Sequence, residues 1–162
     1  MKPWVRKVIL VCLFAAIIIY MGLQIPYRNQ SLTFNKNAAL FDSVMQQVSG
    51  HLTENPEIKI YMDGDVYVAE GMEAEYDITE DEKLVSELDQ LKELGIHQIN
   101  AYYYEATSEY TTSSCEVWFA MDDGDRIIYT SNGHMHSSTD LIDGGDIKSK
   151  ELKVRWRAGA EK

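Results

Sequence analysis

Polar and apolar positions along this chain follow three rhythms, each predicting a different kind of element. The first is an unbroken apolar run: residues 8–27 carry no charge, and residues 8–23 are apolar apart from Gly22. Twenty uncharged residues in a helix span about 30 Å, the thickness of a bilayer's hydrocarbon core. Trp4 at one end, with Tyr20 and Tyr27 toward the other, suits interfacial aromatic positions. A cleaved signal peptide needs small residues at −3 and −1 of the cleavage site. Gly22 is preceded by Tyr20 and Ser31 by Asn29, so neither pair fits. Cys12 follows Val11 inside the apolar run and is no lipidation cysteine. Lys2, Arg6 and Lys7 outweigh Arg28, which places the N-terminus in the cytoplasm. The expectation is a single-pass cell-membrane protein: residues 1–7 a cytoplasmic basic segment, 8–27 a transmembrane signal anchor in the lipid bilayer, 28–37 a polar stalk, and 38–162 an extracytoplasmic domain.

The second rhythm is helical. Phe41, Val44, Met45, Val48 and Leu52 recur on one face, with Gly50 and Pro56 limiting the C-terminal end. Leu84, Val85, Leu88, Leu91 and Leu94 form a second face, closed by Gly95. Thr79 and Glu82 have capping-box spacing, and Glu80, Asp81 and Glu82 suit the positive end of the helix dipole.

The third rhythm alternates. Ile58, Ile60 and Met62 precede Asp63-Gly64-Asp65, and Val66 and Val68 come after it. A two-residue loop with Ile60 opposite Tyr67 splits the aliphatic residues between faces. A three-residue loop pairs Met62 with Val66 and Ile60 with Val68 on one face, and is the expected register. Further strands are predicted over 96–105, 115–122, 126–130 and 152–157, all but the last rich in β-branched and aromatic residues. With Asp123-Gly124 as the hairpin turn, Phe119 faces Ile128 and Val117 faces Thr130, while Trp118 faces Tyr129 and Ala120 faces Ile127. Helix, hairpin, helix, then strands predict an α+β fold: an N-terminal transmembrane helix followed by a small domain with a mainly antiparallel sheet and two amphipathic helices.

Charge sharpens this picture. The 162 residues hold 15 Lys plus Arg against 26 Asp plus Glu. All 26 acids and only 12 of the bases lie beyond residue 26, so the exported part has net charge −14. Nucleic acid is excluded as a main partner, because phosphate neutralisation needs clustered Lys and Arg. Such a domain repels anionic headgroups and prefers basic partners. At 45% hydrophobic the chain is no disordered polymer. Cys115 alone lies outside the apolar run, so no disulfide forms within the domain and a packed core must hold it.

Candidate chemistry is sparse. Asp63-Gly64-Asp65, Asp122-Asp123-Gly124-Asp125 and Asp143-Gly144-Gly145-Asp146 resemble calcium-ligating turns, yet none continues into an EF-hand, and turns favour Asp and Gly anyway. His134 and His136, with Asp140 and Asp143, are the alternative: a divalent-metal site of an enzyme or sensor, with no Cys or third His to complete it. There is no G-x-S-x-G, no H-E-x-x-H and no phosphate-cradling glycine loop. Cys115 shares its strand face with Val117, Phe119 and Met121 and reads as a buried thiol, not a nucleophile for His97 or His134. No cofactor and no catalytic residue is expected.

The remaining signal is aromatic. If the helices cover the Val117–Phe119 face, then Trp118, Ile127 and Tyr129 lie on the opposite one, and Tyr102, Tyr103 and Tyr104 divide between the two. Trp118, Ile127, Tyr129 and Tyr103 are the expected partner-binding residues. Lys153, Arg155 and Arg157 form a basic stripe, suited first to protecting an edge strand or pairing with nearby acids, and only second to binding a carboxylate or phosphate partner. The expected function is non-enzymatic binding of a protein, a basic one by charge. An inhibitor or immunity-type protein is one form; an accessory subunit of an envelope complex is the other.

Overall fold

The computed structural model of the chain describes residues 3–24, 28–52, 56–63, 66–71, 77–106, 112–121, 124–132, 147–153 and 155–161. Two long helices, α1 (Pro3–Gln24) and α2 (Arg28–Gly50), come first. Strands β1 (Glu57–Asp63) and β2 (Val66–Glu70) lead to a 3₁₀ turn (Ile78–Glu80) and α3 (Glu82–Glu93). Five strands complete the chain: β3 (Ile96–Tyr104), β4 (Ser114–Met121), β5 (Arg126–Thr130), β6 (Ile147–Lys153) and β7 (Trp156–Glu161). Together the strands make one antiparallel sheet, ordered β2-β1-β3-β4-β5-β7-β6. The α+β architecture with an antiparallel sheet is as expected.

The transmembrane helix expected over residues 8–27 finds no support here: among the described residues no helix is long and apolar enough to cross a membrane. The side chains described in α1 are those of Trp4 and residues 9–19, a run of about 16 Å of helix. Every one of them is exposed.

The helical rhythm reports its faces faithfully. Phe41, Val44, Met45, Val48 and Leu52 are buried with Leu84, Leu88 and Leu91 against Ile58, Ile60, Met62, Ile96, Ile99, Val117, Phe119, Ile127 and Trp156. Polar contacts also join the two helices: the Glu87 carboxylate accepts from Ser43 Oγ at 2.8 Å and from Gln47 Nε2 at 2.6 Å, and Lys83 Nζ donates to Ser43 Oγ at 3.1 Å.

Residues 28–37, expected as a stalk, are instead the first turns of α2, with Phe34 buried. The polar composition concealed a single inward row: Phe34 lies seven positions before Phe41, two helical turns along the same face. The helix bends at Asn37 (φ −126°, ψ 21°), whose side-chain amide donates to the Thr33 carbonyl at 2.9 Å and competes with the backbone ladder.

The α3 start also differs. Asp81 is its cap, accepting from Leu84 N at 2.9 Å, while Asp77 caps the preceding 3₁₀ turn by accepting from Thr79 N at 2.9 Å. Thr79 is therefore inside the turn, and two acids do the capping expected of it. The Thr79 hydroxyl, donating to Asp77 Oδ1 at 2.6 Å, and then the Thr79 backbone N–H hold the Asp77 carboxyl below its ordinary range. Gly95 ends the helix at φ +83°, as its position implied.

Both hairpin registers differ by one residue from expectation. In β1–β2, Asp63 pairs with Val66, so Ile60 meets Ala69 and Met62 meets Tyr67. Tyr67 and Ala69 pack on the core and Val68 points outward. In β4–β5, Met121 N donates to Asp125 O at 2.8 Å, leaving a three-residue loop that ends in Gly124 at φ +77°. Phe119 then pairs with Ile127, Val117 with Tyr129 and Trp118 with Ile128.

The single strand expected over 152–157 is two. It breaks at Arg155, a left-handed residue (φ 71°), and Lys153 pairs back onto Trp156. No Gly, Asn or Asp marks this turn, so its sequence reads as continuous alternation.

Candidate partner-binding surface

A one-residue slip of register carries every side chain of a strand to the opposite face. In β5 this slip separates the residues expected to form one aromatic surface. Ile127 and Tyr129 point toward the helices: Ile127 is buried, and the Tyr129 ring meets that of Trp156 at 5.3 Å. Tyr103 packs on the same core. Only Trp118 takes the other face, and there it is 1% exposed. The four residues are thus not brought together into an exposed patch.

Around Trp118 the structure assembles a different group. Its indole Nε1 donates to the buried Glu116 carboxylate at 3.0 Å. The Tyr102 ring meets it edge-on at 5.9 Å, the Arg126 guanidinium lies 5.3 Å from its ring centre, and Ile128 packs beside it. Tyr104 extends the row, 6.5 Å from Tyr102. Burial first, then the Glu116 charge, pushes the Tyr104 phenol far above its ordinary value. Burial, followed by Glu57, raises that of Tyr102 as well. Glu116 was legible as a same-face neighbour two positions from Trp118. Arg126 was not, because its place depends on the register of β5.

This cluster joins the hydrogen bond from Trp118 to Glu116 to a row of ring contacts. Charge-assisted and ring contacts of this kind order a sheet face. Cys115 is half-buried beside the core, and burial raises its thiol pKa, with Ser131 hydrogen bonding pulling it back. A raised thiol is a poor nucleophile. His97 is exposed on β3.

Among the described residues no group of three or more His, Cys, Asp and Glu is placed to hold a metal ion. His134, His136, Asp140 and Asp143 lie outside the described residues, as do Asp122, Asp123 and the Asp143–Asp146 turn.

Outside α1, the exposed large apolar side chains among the described residues are Leu32 on α2 and Val68 on β2 (48% and 46%). The exposed surface near α3 is acidic instead, with Glu80, Glu82, Asp89 and Glu93 open to solvent. Compared with known proteins, the chain matches no family model, no curated protein and no solved structure.

Proposed function

We propose that this chain is a membrane-anchored, extracytoplasmic binding module that works without catalysis. The observation that carries the reading is α1: its large apolar side chains between Ile9 and Ile19 are 45–66% exposed, all round the helix. A helix whose described side chains are apolar and exposed on every side is stable where lipid surrounds it. Its 22 residues span about 33 Å, and the flanking Lys2, Arg6 and Lys7 set the N-terminus in the cytoplasm.

The domain so held is acidic, and the open carboxylates near α3 favour a basic protein partner by charge complementarity. An inhibitor or immunity-type protein held at the membrane is one form of this function. An accessory subunit of an envelope complex is the other. The Trp118 cluster serves the domain as internal order, and the acidic helix side takes over as the contact surface.

The test uses the full chain, tagged and purified from native envelope. Resistance to alkaline carbonate extraction and protease access to the C-terminal domain from outside are expected of the anchor. A protein partner retained by the chain, and lost from a variant with Glu80, Glu82 and Glu93 changed to Lys, is expected of the acidic surface. Extraction by carbonate overturns the anchor. Undiminished retention by the folded variant overturns the acidic contact.

A further inference from the structure

The bases of the exported part are not scattered. Residues 147–161, covering β6, the Arg155 turn and β7, hold five Lys and Arg against two acids, Glu151 and Glu161. The rest of residues 27–162 holds seven bases against 24 acids. A domain repelled by an anionic surface as a whole therefore has one end that is attracted to it.

That end also packs on the helix that follows the anchor in the chain. Four Cα–Cα steps separate Gln24 from Arg28, a reach of at most about 15 Å. Six residues further, about 9 Å of helix, Phe34 packs its ring on Trp156 at 4.9 Å. Trp156 sits directly between Arg155 and Arg157 and pairs with Lys153. Arg155 is exposed in a left-handed turn pinned to β5 by the bond from Thr130 N to its carbonyl at 2.8 Å. Leu32, one of the two open apolar side chains of the described domain, and the exposed Lys36 lie on the same first turns of α2.

We infer that the β6–β7 end of the sheet rests against the anionic headgroups of the bilayer that holds α1, and that this contact turns the acidic side near α3 outward to its partner. The inference rests on the anchor reading proposed above. Attraction of Lys and Arg to anionic lipid acts within a Debye length, about 10 Å at 0.1 M salt, so it needs the tether to bring this end close. Both requirements meet at the same place in the fold. The opposing pull of the 24 acids outside β6 and β7 makes the contact an orienting device.

The experiment places the full chain in lipid nanodiscs and reads paramagnetic broadening of its amide resonances. A probe carried on the lipid tails reports α1; a probe carried on the headgroups reports the domain. In discs rich in anionic lipid, the headgroup probe is expected to broaden β6–β7 amides at least roughly twofold more than those of α3. The difference is expected to shrink in zwitterionic discs and in a K153E/R155E/R157E variant. Raising salt from about 0.05 M to about 0.5 M in the unaltered protein should shrink it too, without any substitution. Broadening that ignores lipid charge and salt while α1 still responds to the tail probe overturns this inference alone. Silence of α1 toward the tail probe overturns the anchor reading, and this inference with it.

Discussion

The indole Nε1 of Trp156 donates a hydrogen bond to the Asp42 carboxylate at 3.0 Å, joining the start of β7 to the middle of α2 across 114 positions of sequence. The same indole is ringed by Phe34, Phe41, Phe119 and Tyr129 at centroid distances of 4.9 to 6.1 Å. One residue near the C-terminus thus closes the core over which the first domain helix lies.

Trp156→Ala is expected to cost about 3–5 kcal/mol, the usual range for deleting a large buried aromatic. Trp156→Phe keeps much of the packing and loses the bond to a carboxylate, so about 1.5–3 kcal/mol is expected. Denaturant titration of both variants checks the order. Equal stabilities for the Phe variant and the parent would show that the Asp42 bond contributes nothing.

Gln30 on the first turn of α2 is fully buried, and among the described residues neither polar atom of its amide has a hydrogen-bond partner. Thr130 Oγ1 is in the same state on β5. A buried polar atom without a partner costs about 1–3 kcal/mol. Gln30→Met and Thr130→Val conserve volume and remove that cost, so each should raise the unfolding temperature. A fall in melting temperature for both would show that these atoms find partners in solution.

Gly71 and Gly95 both adopt positive φ, at +78° and +83°. A Cβ on Gly71 would collide with the Glu57 carbonyl of the neighbouring strand, whereas one on Gly95 meets open space. Gly95→Ala should cost about 1–2 kcal/mol, the left-handed penalty alone. Gly71→Ala should cost more and loosen the β1–β2 edge. Hydrogen exchange of β2 amides separates the cases, since only the second variant should lose protection there.

Tyr102 and Tyr104 keep their protons above the ordinary phenol value of 10.0 because burial disfavours phenolate. With the folded pKa raised, the native state holds protons that the unfolded chain has released. Stability is therefore full below about pH 10 and falls as pH rises toward the folded values. Urea melts across the alkaline range should show that decline, and Tyr104→Phe should flatten it. A parent protein whose ten tyrosines all titrate normally while folded would contradict the burial.

Much of the fold was legible in local pattern, because helices and strands expose their inward faces at fixed periods. The rows Phe41–Leu52 and Leu84–Leu91 are core as their spacing implied, and β3 and β5 fall where β-branched and aromatic residues cluster. Gly95 marked a helix end because few other residues tolerate its conformation. The first turns of α2 were less legible, since polar residues surround Phe34 and only its contact with Trp156 reveals the inward row.

The sequence by itself determined the apolar run of α1, the acidity of the chain beyond that run, the element types and the inward faces of the helices. Only the tertiary structure decided which face each hairpin partner strand shows. The reason is arithmetic: strand faces alternate with period two, so a one-residue change in loop length inverts them, and Asp-Gly turns accommodate more than one length. The contacts that distinguish the registers lie far away. In β5 it is the Trp156 ring, 27 positions downstream of Tyr129, that gives Tyr129 a place in the core, and that core leaves Trp118 to Glu116, Tyr102 and Arg126 on the opposite face.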